Sequence, residues 1–140
     1  MWPKGGGGSI STEDQCVQVV PPIGPYTGGF NSRISKIDRT GVRTTVVDQL
    51  PSDQTSPGSG AFVSGVADVQ FISSTLYALS AGAGCSHGLI NTTNGVIRVE
   101  KEGHWSLVAD LSAFQKKNPV ANPNPSMTRE MSRGIRPFAR

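Results

Sequence analysis

The chain has 140 residues and a mass of 14.7 kDa, so it forms one domain or part of a larger one. Its 17 glycines and 10 prolines, about a fifth of all residues, exclude a helical bundle, and no apolar run approaches the ~20 residues of a membrane-spanning helix. The net charge of +3 hides an imbalance, because residues 1–114 carry 7 basic and 9 acidic side chains whereas residues 115–140 carry 6 and 1.

Two segments of the chain, residues 33–48 and 95–110, match at an offset of 62 residues. Each consists of a β-branched run, an acidic residue, a glycine, a second β-branched run and an aspartate. The matched pairs are Ile34 and Val96, Ile37 and Val99, Asp38 and Glu100, Gly41 and Gly103, Val46 and Val108, and Asp48 and Asp110. Because glycine accepts the positive φ of a tight turn, each segment predicts a β-hairpin.

A third hairpin is predicted between these two copies. Residues 66–72 alternate apolar and polar side chains, Ser73 and Ser74 supply a turn, and residues 75–80 form the return strand. Residues 65–110 therefore predict four successive antiparallel strands at 66–72, 75–80, 95–100 and 105–110. Such a unit, repeated along a chain, is typical of a propeller blade.

The predicted fold is all-β, a β-propeller fragment of about one and a half four-stranded antiparallel blades with long loops. Residues 1–48 form the second half of one blade, residues 49–64 an inter-blade linker, and residues 65–114 a complete blade. The long loops are Gly5 to Asn31 and Gly82 to Asn94.

Residues 115–140 are predicted to be a disordered basic tail, because Asn and Pro alternate over residues 118–125 and block regular structure. The tail has no aromatic side chain before Phe138 that could stack on bases, so we expect no nucleic-acid partner.

Several runs of the sequence carry a resemblance to a known family. They are Ser64–Phe71 followed by Leu76–Leu79, then Gly95–Val99 and Trp105–Phe114, and the Asn/Pro-rich connection Asn118–Pro125. Together these runs resemble the ScyD/ScyE family. The resemblance spans roughly residues 5–125 and implies a β-propeller related to the NHL and gluconolactonase-like propellers, which are usually exported. It ends after Pro125, and a whole propeller needs several blades. We therefore interpret the chain as a truncated fragment, whose exposed blade faces and unpaired strand edges favour self-association.

Cys16 and Cys85 are the two cysteines of the chain, and each falls in the long loop of its own blade. The resemblance places both loops on one rim of an exported protein, which makes the pair a disulfide candidate. The alternative is two unpaired, partly buried thiols. Two cysteines 69 residues apart form no zinc motif.

Asp68 is the candidate metal ligand. The resemblance implies a divalent cation such as calcium near the central channel of a complete propeller, and Asp68 lies at the start of the inner strand. The alternative is a carboxylate that accepts hydrogen bonds from backbone amides. His87 is interpreted as a loop surface residue and His104 as a turn residue, and no catalytic residue is assigned, since neither a Gly-x-Ser-x-Gly elbow nor a His-Glu-x-x-His motif occurs.

Two functions from different classes remain open. The first is a non-catalytic exported binding or interaction module, whose loop rim contacts an unknown protein or small molecule. The alternative is part of a metal-dependent gluconolactonase-like hydrolase with Asp68 among its ligands. The resemblance implies an extracellular or periplasmic location, while the amino end carries no basic and apolar leader, so we expect no signal peptide in this chain.

Overall fold

A computed structural model describes residues 1–121 of the protein, and in this part seven antiparallel strands succeed one another in chain order across one sheet. One helix, α1, comes after the last strand. The strands are β1 (Trp2–Gly6), β2 (Thr27–Ile37), β3 (Arg43–Gln54), β4 (Val63–Ile72), β5 (Thr75–Ser80), β6 (Gly95–Val99) and β7 (Trp105–Asp110), and α1 is Leu111–Lys117. We call β1–β3 the first unit and β4–β7 the second unit. The beginning of β4 also pairs with the end of β1, and this pairing ties the two units together.

The two hairpins predicted from the 62-residue repeat are present, and their strands pair in the same register. In both hairpins the register shifts at the equivalent place, after Ile34 in the first and after Val96 in the second. The equivalent pairs are Ile34–Val47 and Val96–Ala109, Ser35–Thr45 and Ile97–Leu107, Lys36–Thr44 and Arg98–Ser106, and Ile37–Arg43 and Val99–Trp105. A shared register and a shared β-bulge show that the sequence repeat is also a structural repeat.

Both hairpins turn over five residues, 38–42 and 100–104, and each turn contains a glycine with positive φ. Gly41 has φ 85° and Gly103 has φ 78°, values that residues with a Cβ adopt at a cost. The Asp38 carboxylate accepts hydrogen bonds from the Thr40 amide and hydroxyl and from the Val42 amide. These three hydrogen bonds stabilise the conformation of the first turn, because all their partners belong to the turn itself.

The main hydrophobic core lies between the two units, and both contribute strands to it. Its buried members are Ile34, Val47, Leu50, Val66, Leu76, Ala78 and Ile97. Val46, Val69 and Val99 pack against this cluster while remaining partly exposed. Burial of these aliphatic side chains is the main favourable term that holds the two units against each other.

The predicted strands 66–72, 75–80, 95–100 and 105–110 are confirmed by β4 to β7, with Ser73 and Ser74 in the turn. The predicted linker 49–64 is shorter than expected, because β3 continues to Gln54 and β4 starts at Val63. This extension arises because Asp53 and Gln54 pair with Ser64 and Val63 across the two units.

The helix α1 reaches Lys117, so the first three residues of the predicted disordered tail are helical. Asp110 caps the helix by accepting a hydrogen bond from the Ala113 amide at 2.7 Å, and such a cap stabilises the first turn. The remainder of the predicted tail, from residue 122 onward, lies outside the described residues. Within residues 1–121 no helix is long and apolar enough to cross a membrane.

Candidate functional site at the loop junction

The two long connections of the chain, residues 7–26 after β1 and residues 81–94 after β5, contact each other. Each connection leaves the equivalent strand of its unit and enters the repeated hairpin, so the two connections are equivalent in topology. We call the contact region, residues 10–28 and 84–89, the loop junction.

A disulfide joins the two connections at the loop junction. Cys16 and Cys85, the candidate pair of the sequence analysis, are bonded, with their Cα atoms 6.2 Å apart. Next to it, the buried Thr12 hydroxyl donates a hydrogen bond to the Cys85 carbonyl, and the Gln18 side chain donates one to the Thr12 carbonyl at 2.8 Å. The first connection is therefore fixed to the second by a covalent bond and by the Thr12–Cys85 hydrogen bond, while Gln18 braces Thr12 within the first connection.

Where Gly88 approaches Gly28 in the loop junction, the two backbones are too close for a side chain at Gly88. Gly88 has φ 85°, and a Cβ at this position would lie 2.1 Å from the Gly28 amide nitrogen. A glycine is therefore required here both for its backbone conformation and for the space that it leaves. This close approach brings the Cys85–His87 turn against the start of β2.

His87 is held by three groups. Its ring packs against Tyr26 with centroids 4.6 Å apart and planes inclined by 50°. Its Nε2 lies 3.8 Å from Oδ2 of Asp53, and its Nδ1 lies 3.1 Å from the Ser86 hydroxyl. The side chain is 27% exposed, so His87, interpreted from the sequence as a loop surface residue, lies in the Cys85–His87 turn and is partly covered by its neighbours.

Asp53 lies beneath His87 and is 1% exposed. Its Oδ1 accepts a hydrogen bond from the Ser64 hydroxyl, whereas its buried Oδ2 accepts none from the described residues. Burial raises the pKa of Asp53, and this effect outweighs the Ser64 hydrogen bond and the charge of His87, which both lower the pKa. Burial and the Asp53 charge likewise raise the pKa of Tyr26.

The side chains at the loop junction lie in two layers, and this arrangement determines what the junction can bind. A buried acid lies behind an imidazole, and the imidazole together with a phenol ring forms the partly exposed layer. A carboxylate behind a histidine helps to fix the orientation of the ring. Because both ring nitrogens of His87 face protein groups, the arrangement offers a visiting ligand the partly exposed aromatic faces of His87 and Tyr26.

The structure does not bring Asp68 into this site. Asp68 lies on the exposed side of β4, and its Oδ1 accepts a hydrogen bond from the adjacent Val69 amide at 2.8 Å. His104 lies exposed in the second hairpin turn. Among residues 1–121 no group of three or more His, Cys, Asp or Glu side chains is placed to hold a metal ion.

Sequence reasoning missed Tyr26, Asp53 and Ser64. Asp53 comes after Leu50, Pro51 and Ser52, and these four consecutive residues are all buried. When both faces of a strand are buried, apolar and polar side chains do not alternate along it. The segment therefore lacks the usual sequence signal of a strand, and its polar composition is typical of a linker. The comparisons with protein-family models, with curated proteins and with solved structures find no match for this chain.

Proposed function

We propose that this chain is part of a β-propeller similar to the ScyD/ScyE family and that it acts as a non-catalytic binding module. The repeated hairpins support the propeller, since they share register, bulge and turn at an offset of 62 residues. A strand also precedes each hairpin through a long connection, and antiparallel units that recur in this way are what radial repetition requires.

The observation that carries the binding function is that the two equivalent connections are locked together at the loop junction. Loops on a rigid scaffold are the usual place for recognition, and loops fixed before binding lose less conformational entropy when a ligand arrives. The Cys16–Cys85 disulfide, the Tyr26–His87 contact and the buried Asp53 supply this fixation. We assign the ligand-facing surface to Tyr26 and His87.

The disulfide also supports a location outside the cytoplasm. Disulfides persist in oxidising compartments and are rare where glutathione and thioredoxin keep thiols reduced. We therefore propose an extracellular or periplasmic location, which is also what the family resemblance implies.

A fragment library screened by ¹⁵N–¹H correlation spectra of the full chain tests the binding function. We expect the fragments that bind to shift amide signals of residues 10–28 and 84–89, and we expect His87→Ala to weaken them. His104→Ala is the matched control, because the only other histidine of the sequence lies exposed in a hairpin turn away from the junction. Shifts scattered over the surface, or equal effects of the two variants, would contradict the assignment.

A calcium titration tests the alternative of a metal-dependent hydrolase. A melting temperature that rises with calcium, and that no longer rises in Asp68→Ala, would overturn the non-catalytic proposal. We expect calcium to leave the melting temperature of both proteins unchanged, because Asp68 belongs to no group of three or more His, Cys, Asp or Glu side chains among the described residues.

A further inference from the structure

A cavity of about 170 Å³ lies between the two units, and it shares no lining residue with the loop junction. Its walls come from both units and are mostly apolar. The side chains that matter for its chemistry are Phe30, Leu50, Ser80, Ile97, Trp105 and Leu107.

The volume of the cavity limits the size of an occupant. Pockets for drug-sized ligands span roughly 300–1,000 Å³, whereas an apolar protein cavity of roughly 150 Å³ binds benzene. A cavity of about 170 Å³ therefore has room for one six-membered ring with a small substituent.

Ser80 supplies a buried polar group of this cavity that lacks a partner. The residue is 3% exposed, and its buried hydroxyl makes no hydrogen bond with the described residues. The hydroxyls of two threonines in the lining already have partners. The Thr92 hydroxyl accepts a hydrogen bond from the Gly84 amide and donates one to the Leu89 carbonyl, and the Thr93 hydroxyl donates one to the Asp110 carboxylate. A ligand that hydrogen-bonds Ser80 therefore satisfies a buried group that is otherwise left unpaired.

The apolar part of the lining favours an aromatic occupant. Phe30 on β2 and Trp105 on β7 are 47% and 41% exposed, so both rings keep apolar surface uncovered although they line a cavity. Aromatic rings interact favourably with such rings in offset or edge-to-face geometry, beyond the gain from buried area.

We propose that this cavity binds a single aromatic ring that carries a hydroxyl group, with phenol as the simplest example. The ring packs against Phe30, Trp105 and the aliphatic walls. Rotation of the Ser80 side chain about its Cα–Cβ bond, among its staggered positions, brings the hydroxyl to the hydroxyl of the ligand. The site shares no lining residue with the loop junction, although Thr92 in its wall bonds Gly84 and Leu89 of the junction, and the proposal does not rest on the proposed function there.

Titration of the ¹⁵N-labelled full chain with phenol, benzene and cyclohexanol tests the proposal. Phenol is expected to shift the amide signals of Ser80, Ile97 and Leu107 in a saturable manner. Benzene lacks the hydrogen bond and is expected to bind about five-fold more weakly. Cyclohexanol keeps the hydroxyl but loses the aromatic contacts, so it also binds more weakly. Equal affinity for phenol and benzene would overturn the role of Ser80, and absence of saturable shifts would overturn the site.

Three variants locate the binding. Ser80→Ala is expected to abolish the preference for phenol over benzene without changing the affinity for benzene. Leu107→Phe fills the cavity and is expected to abolish binding of both ligands. Val108→Phe is the matched control, because Val108 is the next residue after Leu107 on β7 and does not line the cavity. Correlation spectra of each variant establish that it is folded. Equal loss of binding in Leu107→Phe and Val108→Phe would contradict the assignment.

Discussion

The hairpins β2–β3 and β6–β7 share register, bulge and turn, but they differ in burial. Ile34 and Val47 are 0% and 1% exposed, whereas their equivalents Val96 and Ala109 remain partly exposed. The first hairpin lies between β1 and β4 in the sheet, while β7 is the last strand of the described sheet. Pairing is therefore encoded locally by each hairpin, and burial depends on which neighbours cover it.

The two hairpins also differ in the segments into which they lead. After Asp48 the chain takes a positive φ at Gln49 and continues as β3, whereas after Asp110 it enters the helix α1. The Asp110 carboxylate accepts two hydrogen bonds, from the Thr93 hydroxyl and the Ala113 amide, whereas the Asp48 carboxylate accepts none from the described residues. The equivalent aspartates Asp48 and Asp110 therefore have different structural roles, because different segments follow them in the chain.

Removal of the link between the two units should have the largest effect. Cys16→Ser combined with Cys85→Ser is expected to lower the free energy of unfolding by about 4 kcal/mol, because the disulfide closes a long loop with a sequence separation of 69. Urea denaturation of the wild type with and without reductant should give a comparable difference. Reductant should not affect the double variant, and an unchanged midpoint in the wild type would contradict the link.

The difference in burial between the two hairpins should appear in matched truncations. Ile34→Ala removes a fully buried side chain from the core and is expected to lower the free energy of unfolding by about 3 kcal/mol. Val96→Ala removes a smaller, partly exposed side chain and should cost less than about 1 kcal/mol. Urea denaturation measures both values, and equal losses would show that the two hairpins are covered alike.

The shared turn should respond equally in the two hairpins. Gly41→Ala and Gly103→Ala each place a Cβ on a residue with positive φ, and each is expected to cost about 1 kcal/mol. Gly58→Ala is the control, since Gly58 is not among the positive-φ glycines and a Cβ there makes only ordinary contacts. Chemical denaturation of the three variants measures these changes. A loss of unfolding free energy in one hairpin variant alone would contradict the equivalence of the two turns.

The sequence predicted those elements whose signal is local. The strands β4 to β7 alternate apolar and polar side chains or contain β-branched runs, and glycines mark the repeated turns, so periodicity and turn chemistry locate them. The loop junction depends on Tyr26, Asp53 and His87, which lie far apart in the chain. No spacing rule connects three such positions, since only the packing of the two units brings them together.

The different roles of the repeated aspartates give a smaller but sharper test. Asp110→Ala removes the acceptor of the Ala113 amide, so this amide is expected to exchange with solvent about five-fold faster. Asp48→Ala should leave exchange at Ala113 unchanged, because the carboxylate that accepts the Ala113 hydrogen bond is that of Asp110 and not that of Asp48. Hydrogen exchange monitored by nuclear magnetic resonance measures both variants. Equal acceleration by the two substitutions would contradict the capping role.

Acid titration of the same amide separates capping from general stabilisation. Hydrogen bonds from the Thr93 hydroxyl and the Ala113 amide hold the pKa of Asp110 below its ordinary value. A carboxyl with a lowered pKa in the folded state stabilises that state above its unfolded pKa, and the contribution is lost as pH falls through the folded pKa. Protection of Ala113, corrected for intrinsic exchange, should therefore fall below about pH 4 in the wild type and in Asp48→Ala. In Asp110→Ala the protection should be low at every pH, and a remaining acid transition there would assign the effect to another carboxyl group.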